Sequence, residues 1–595
     1  MNKNVFVVAV MIAIAFLATS CKKYEDVRLN NDKQSPHLHP AFAINSDEYY
    51  VGDTVYFTDK STTDGEAIVD YYWYFGFDGK DGISHIKNPY IVYPYSGNYI
   101  IKLTVTDAKG GYATKTDTLY MRPANQPPAA DFTISPDVCT VNEEITLTDI
   151  SVDDDGQIVS RLWDLGNGNT STDSIVRVTY TETGLVTVSL TVADRKGLSA
   201  IVQKTINIRS SVTPGSFAIA WTRTFETSST LRSISPAVGG NGNVYVASNA
   251  MKLYAYSPTG EQQWAFDLSS ETGGTGNDQG SSPAVGVDGT VYIGVYPKSG
   301  DICMYAVNPE DGSKKWSYSH NAGVRIDYTS PAITTDGNII LGTRGTNGRV
   351  HKVNKETGAN IWKIEPQSGG VKGCVVIDRN MIIYSAITGE SGISRTNDNI
   401  SNATKRAPAW GSIAAANGFG FAISENTIYV AYENGTIAAY DQATDALKWT
   451  SASYVKFERS GIALSENGVL YAGSADGASS KLIALNAATG AQIWAYEAGA
   501  TINSAPAVDN LGNIHFGDNS GYYTILSPDG SELHKEKLGT KIECSPVISD
   551  YGTIYICVED NGACKLVAID CGISGPANSP WAQRGQNARR TGLQK

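Results

Sequence analysis

Charge is sparse in this 595-residue chain: 18% of its residues are Asp, Glu, Lys or Arg, and the formal net charge is −13. A phosphate-binding surface needs clustered Lys and Arg, and here they are scattered, so no nucleic-acid partner is expected. No long stretch repeats its apolar residues every 3.6 positions, which leaves little room for amphipathic helices and favours an all-β chain. Enzyme signatures are missing too: there is no HExxH, no phosphate-binding GxxxxGK[ST] and no GxSxG. The seven histidines are dispersed, with His37 and His39 near the start and His85, His320, His351, His515 and His534 far apart along the chain. No two cysteines are adjacent and none shows paired CxxC spacing, so no metal site is expected. The 60 acidic residues supply many carboxylate pairs of the kind glycosidases use, and no pattern singles one out.

What is present points the same way. Tyrosine (33) and glycine (59) are abundant, a mix that suits strands and tight turns. At the start, Lys3 precedes an apolar run from Val5 to Leu17, then Ala18, Thr19, Ser20 and Cys21. The run is too short to span a bilayer and a polar chain follows, so residues 1–20 read as a signal peptide. Small residues ending in a cysteine resemble the lipobox of bacterial lipoproteins, which implies lipidation of Cys21; the usual leucine is displaced to Leu17. The Lys22-Lys23-Tyr24-Glu25-Asp26 run resembles a surface-export signal of Gram-negative lipoproteins. The expected location is therefore the outer membrane, lipid-anchored and facing the cell surface, with residues 21–38 as a tether. Seven further cysteines cannot all pair internally. Cys557 and Cys564 flank a hairpin at Glu559–Gly562 and could face each other, but burial as free thiols is the expected state of most.

Two segments, 39–122 and 129–209, then repeat one another across the linker 123–128. The first carries Tyr72-Trp73-Tyr74-Phe75-Gly76-Phe77-Asp78-Gly79 and Leu103-Thr104-Val105-Thr106-Asp107. The second carries Leu162-Trp163-Asp164-Leu165-Gly166-Asn167-Gly168 and Leu190-Thr191-Val192-Ala193-Asp194. Alternating β-branched residues between Gly-rich turns, with one central tryptophan per segment, predict immunoglobulin-like sandwiches. Both resemble PKD domains, with departures at Tyr74, Phe77, Leu165 and Asn167. The resemblance implies that Trp73 and Trp163 pack the cores. Asp153-Asp154-Asp155-Gly156 has its glycine fourth rather than sixth, unlike a calcium-binding EF-hand loop, and reads as a turn.

From Ser216 to Gly592 a different unit repeats every 40 to 52 residues. Its clearest copy runs Gly461-Ile462-Ala463-Leu464, a turn at Glu466-Asn467-Gly468, Val469–Gly473, Leu482–Ala488, then Thr489-Gly490 before Trp494. Four strands per unit at this period predict propeller blades. Inner strands open near Ser235, Ser282, Ser330, Gly373, Phe419, Ser460, Ser504 and Ser545, which gives eight blades. Trp264, Trp316, Trp362, Trp449 and Trp494 close blades, and His534 stands where a further tryptophan is expected. The last blade lacks its outer strand, and Trp221–Phe225 is the expected replacement, closing the ring. The unit between Trp362 and Trp410 diverges, with an insertion at 388–408. These repeats resemble PQQ-like (quinoprotein-like) β-propellers, in which the tryptophans dock neighbouring blades. The alcohol-oxidising members carry an adjacent Cys-Cys pair and a calcium cluster; neither has an equivalent here, so PQQ is not expected and no cofactor is assigned.

The fold class is thus all-β: two tandem immunoglobulin-like sandwiches followed by an eight-bladed propeller. Residues just before inner strands ring one mouth of a propeller's channel, which nominates Arg232, Asp278, Arg325, Asp327, Lys372, Glu458, Arg459, Lys541 and Glu543. The plainer reading is that such mouths are polar because they are wet. Tyr90, Tyr93 and Tyr95 could stack on sugars or simply belong to strand packing. The leading expectation is a non-catalytic surface lipoprotein that binds polysaccharide or another extracellular polymer, with the sandwiches as spacers. A protein-binding scaffold like the outer-membrane assembly lipoproteins, or a carbohydrate-active enzyme, are the alternatives.

Overall fold

The computed structural model describes residues 34–594 except 78, 137–138, 182–183, 210–214, 228, 232–233, 270–280, 296–300, 321–325, 327–329, 344–347, 365–369, 388–392, 398–415 and 455. Cys21, Arg232, Asp278, Arg325 and Asp327 lie outside the described residues. Among those described, regular structure is β-strand apart from two single 3₁₀ turns, Lys80–Gly82 and Gly477–Ser479.

Each N-terminal repeat is a sandwich of a five-stranded and a three-stranded sheet, and the first adds a two-stranded pairing of Leu38–His39 with Thr62–Thr63. In the first, the hairpin of Gly97–Asp107 and Tyr112–Arg122 lies at the centre, with Ile68–Tyr74 beside it. In the second, Gly184–Asp194, Ser199–Arg209 and Ile158–Asp164 take the same places. Because side chains alternate across a strand, one face of each sheet can be apolar. Trp73 and Trp163 occupy matching inward positions and are fully buried. Each meets a phenylalanine from the facing sheet, Phe42 at 5.3 Å and Phe132 at 5.0 Å between ring centroids. A buried tyrosine then ties down the turn after the tryptophan strand: Tyr93 donates to the Phe75 carbonyl at 3.2 Å, and Tyr180 to that of Leu165 at 2.7 Å. The 153–156 segment is a turn, with Asp153 Oδ1 accepting from the backbone N–H of Asp155 and Gly156.

From residue 218 onward the described residues form eight sheets, seven of four strands and one of three. In the clearest blade, Ile462–Leu464, Val469–Gly473 and Lys481–Asn486 are nearly all buried, whereas Gln492–Glu497 is mostly exposed. The inner strands are covered on both faces by neighbouring blades, which is why they read as continuous apolar runs rather than alternating ones. The divergent blade has three strands, Val371–Ile377, Ile382–Ile387 and Ile393–Asn397.

Tryptophans join consecutive blades. The Trp264 indole N–H donates to the Pro309 carbonyl at 2.9 Å, Trp316 to Lys355 at 2.8 Å and Trp449 to Ala487 at 3.1 Å. Trp221 repeats the bond to Pro258 and Trp494 to Pro528. Each ring lies over a left-handed glycine of the next blade: at Gly312 (φ 73°), a Cβ would meet Trp264 at 2.7 Å. Trp362 is buried in the same structural position. His534, the substitute, stacks on Phe217 with centroids 4.0 Å apart.

Two devices close the ring. Ala218–Glu226 pairs antiparallel with Ala563–Asp570, so the first strand of the region completes the last sheet. At the inner strands, the Ser545 N–H donates to Ser235 Oγ and the Ser235 N–H to Ser282 Oγ, both at 2.9 Å. The C-terminal tail then runs past the innermost strands. Its carbonyls accept from Val238, Val285, Ile333, Ile377, Leu464 and Val508, through Ala588, Arg589, Thr591, Gly592, Trp581 and Ala582 respectively.

Among the described residues seven cysteines form no disulfide, and six of them are buried. Cys557 lies opposite Leu566 and Cys564 opposite Glu559, so the two do not face each other across the hairpin. A two-residue offset in register separates them.

Candidate functional site

In three neighbouring blades, a residue one or two positions before the inner-strand serine lies on the segment that enters the strand. Arg459 precedes Ser460, Asn503 precedes Ser504, and Glu543 stands two before Ser545. Three blades thereby bring separate stretches of sequence into one cluster. The Glu543 side chain is 6% exposed, and its Oε1 lies 2.9 Å from Lys541 Nζ. Its Oε2 lies 3.5 Å from an Arg459 guanidinium nitrogen, and Oε1 also accepts from Asn503 Nδ2 at 3.2 Å. Lys541 and Arg459 remain about one-third exposed, so they present cationic groups outward from a buried carboxylate.

Asn503 was not singled out by sequence, although it occupies the same step before an inner-strand serine as Arg459. It is buried, and the bond to Glu543 fixes which way its amide points. Its Oδ1 accepts no hydrogen bond from the described residues. A buried acceptor without a donor is costly, commonly about 1–3 kcal/mol. The cluster thus combines two cationic donors, an engaged carboxylate and one acceptor that the described residues leave unused.

Of the nine nominated rim residues, the structure unites Arg459, Lys541 and Glu543. Glu458 instead pairs with Lys456 Nζ at 2.7 Å, both nearly half exposed. Lys372 falls within Val371–Ile377, and its side chain is not described. Both oxygens of Glu543 are occupied by cationic or amide donors, which leaves little acceptor capacity for a general base. Among the described residues no group of three or more His, Cys, Asp or Glu side chains is arranged to hold a metal ion. In the first sandwich, Tyr93 is buried, whereas Tyr90 and Tyr95 are exposed and Tyr56 lies 5.8 Å from Tyr90 between centroids.

Comparison with known proteins divides the chain in the same way. A family model described as outer membrane protein assembly factor BamB matches residues 208–380 and 433–571, together more than half of the chain. The PKD domain model matches residues 38–122 and 125–209. The outer membrane protein assembly factor BamB of Moranella endobia (strain PCIT) is 25% identical over 340 residues, covering 52% of this chain and 78% of that protein. The pre-pro-metalloprotease PrtV of Vibrio cholerae serotype O1 is 43% identical over 84 residues; that match covers 14% of this chain and only 9% of the protease. Among solved structures, the quinohemoprotein alcohol dehydrogenase of Comamonas testosteroni aligns with a TM-score of 0.46 at 13% identity, covering 61% of this chain and 77% of that one.

Proposed function

Since this chain belongs to the PQQ-like propeller family of the outer membrane protein assembly factor BamB, we propose that it is a non-catalytic, outer-membrane-associated protein whose propeller rim binds a protein partner. Lipidation at Cys21 would anchor it, and the two PKD domains would hold the propeller away from the bilayer. The observation that carries the reading is the rim cluster, where Asn503 Oδ1 accepts no bond from the described residues beside outward-facing Lys541 and Arg459. Such a set suits a peptide segment, which offers both backbone N–H donors and carboxylate or carbonyl acceptors.

The test is co-purification after formaldehyde cross-linking of intact cells, comparing the wild type with an Arg459→Glu/Lys541→Glu double variant. A discrete set of outer-membrane proteins should be recovered with the wild type and depleted at least several-fold with the variant. Equal recovery from both would remove the rim from the account. Replacing Cys21 by Ser should move the protein out of the membrane fraction, and an unchanged distribution would sink the anchor.

Capture of polysaccharide is the second reading. Its support is the pair Tyr56 and Tyr90 with Tyr95, respectively 53%, 68% and 75% exposed, which offer flat faces to sugar rings. Native gel retardation against a polysaccharide panel tests it, with Tyr56→Ala/Tyr90→Ala expected to abolish any shift. A shift that survives the double change would place the glycan elsewhere.

A further inference from the structure

The last blade gathers three cysteines in one apolar cluster. Cys544, Cys557 and Cys564 are fully buried there, among Val547, Tyr555 and Leu566. Cys139, Cys303 and Cys571 belong to other clusters of the molecule. Strand register decides which of the three can meet. Cys557 stands in Thr553–Asp560, opposite Leu566 of Ala563–Asp570, so Cys564 is its diagonal neighbour. Diagonal residues of an antiparallel pair lie about 7–8 Å apart, beyond the about 4.4–6.8 Å between Cα atoms that a disulfide spans. The Cys564 thiol instead donates to the Ser229 carbonyl at 3.3 Å.

On its other side Cys557 has a different neighbour. The segment that enters the inner strand pairs with Thr553–Asp560 at two points, Lys541 with Glu559 and Val547 with Tyr555. Between these points residues 542–546 face residues 556–558, so the first segment bulges. Cys544 is the middle residue of one stretch and Cys557 the middle residue of the other. Residues directly opposed across antiparallel strands stand about 4.5–5.5 Å apart at Cα, within the range of a disulfide. The two side chains are in contact: burial, and then the hydrogen bond with Cys557, push the Cys544 thiol well above its ordinary 9.0.

We propose that Cys544 and Cys557 are a modification site, joined as an intramolecular disulfide when the chain folds in the cell envelope; the oxidising compartment rests on the outer-membrane reading. The co-reactant is a protein disulfide oxidant. The Cys544 thiolate, its proton lost to solvent, attacks one sulfur of that oxidant, and the other sulfur leaves as a thiolate. The Cys557 thiolate then attacks the Cys544 sulfur and displaces the oxidant. Two thiols lose two electrons and two protons, and the oxidant's disulfide becomes a dithiol. Burial keeps the thiols protonated once the blade is packed, so the exchange belongs to folding, before the cluster closes. The finished bond staples the segment that carries Lys541 and Glu543 to the blade's second strand. The same segment carries Ser545, whose N–H closes the ring on Ser235.

The full chain, alkylated in denaturant without reductant as it leaves the cells and then digested, tests this by mass spectrometry. A peptide pair linked through Cys544 and Cys557, with Cys564 alkylated, is the expected result. Alkylation of both Cys544 and Cys557, or a link from Cys557 to Cys564, would overturn the proposal. Refolding the same chain in a glutathione redox buffer tells the two premises apart. A Cys544–Cys557 link that forms there but is absent from cells traces the failure to the compartment, and so to the outer-membrane reading. Absence from both traces it to the pairing. Refolding under reductant should also lower the thermal midpoint of the bridged wild type by several degrees and leave Cys544→Ala/Cys557→Ala unmoved. Equal responses would overturn the staple.

Discussion

At the scale of single residues, the account rests on side chains whose partners are far away in sequence. Trp264 reaches 45 positions forward to the Pro309 carbonyl while its ring covers Gly312. Replacing it with Ala should cost about 3–5 kcal/mol, the usual range for a buried tryptophan, read as a lower urea midpoint for the propeller. Gly312→Ala should also destabilise, because φ is 73° and the added Cβ would meet the indole at 2.7 Å. The two changes together should cost less than their sum, since either alone removes the same contact. A strictly additive pair would mean that the ring and the glycine do not act as one joint. That the tryptophans dock neighbouring blades was legible because they recur at the blade period; which glycine each ring covers was not, since that contact crosses from one unit to the next. The Asn503–Glu543 bond was not, because it joins two units at a position where residue type varies from blade to blade.

A second residue-level consequence concerns acid. Asp509 is fully buried; burial raises its pKa, but the hydrogen bond and charge of His515, with the Asn513 amide, outweigh it and hold the carboxyl below its ordinary 3.8. A depressed folded pKa contributes stability that is fully present above the unfolded value and is lost as pH falls through the folded one. The stability advantage of wild type over Asp509→Asn should therefore be flat from neutral pH to about 5 and shrink below about 4. An advantage independent of pH down to about 2 would contradict the assignment.

At the scale of elements, two segments hold the ring shut. Ala218–Glu226 is an outer strand, so alternate N–H groups face its partner and solvent. Of Thr222→Pro and Arg223→Pro, one should remove a ladder bond and lower the thermal midpoint by several degrees, while the other is nearly silent. Two silent substitutions would mean that this pairing contributes little. The tail matters more, since truncation after Gly575 would strand the N–H groups of six inner strands, each worth about 1–3 kcal/mol when buried without an acceptor. That truncation should leave no stable propeller, as measured by near-UV circular dichroism and protease sensitivity. The swapped strand was legible because the last unit lacked one of its four strands. The path of the tail was not, because the bonds that lay it along those six strands are made by its backbone carbonyls, which any residue type supplies.

At the scale of the molecule, the sandwiches are bound to one another and to the propeller. Lys196 Nζ reaches Asp53 Oδ2 at 2.6 Å and the Tyr50 hydroxyl donates to the Asp155 carbonyl at 3.0 Å, which joins the two PKD domains. Asn207 and Arg209 of the second domain donate to the carbonyls of Tyr551 and Ile573 in the propeller. An Asn207→Ala/Arg209→Ala variant should widen the distance distribution in solution scattering, whereas an unchanged curve would place the rigidity elsewhere. Composition and repeats made the order of the domains legible, since each repeat announces its own period. The joints between domains depend on single polar contacts across 100 to 360 residues, and no local pattern encodes them.

The central claim is that the propeller rim is where a partner binds. A photo-activated cross-linking residue placed at Lys541 in intact cells tests it most directly, with the same residue at Leu447, an exposed outer-strand position, as the comparison. The account expects a discrete protein adduct from position 541 and none from 447. Adducts from 447 alone, or from neither position, would contradict it.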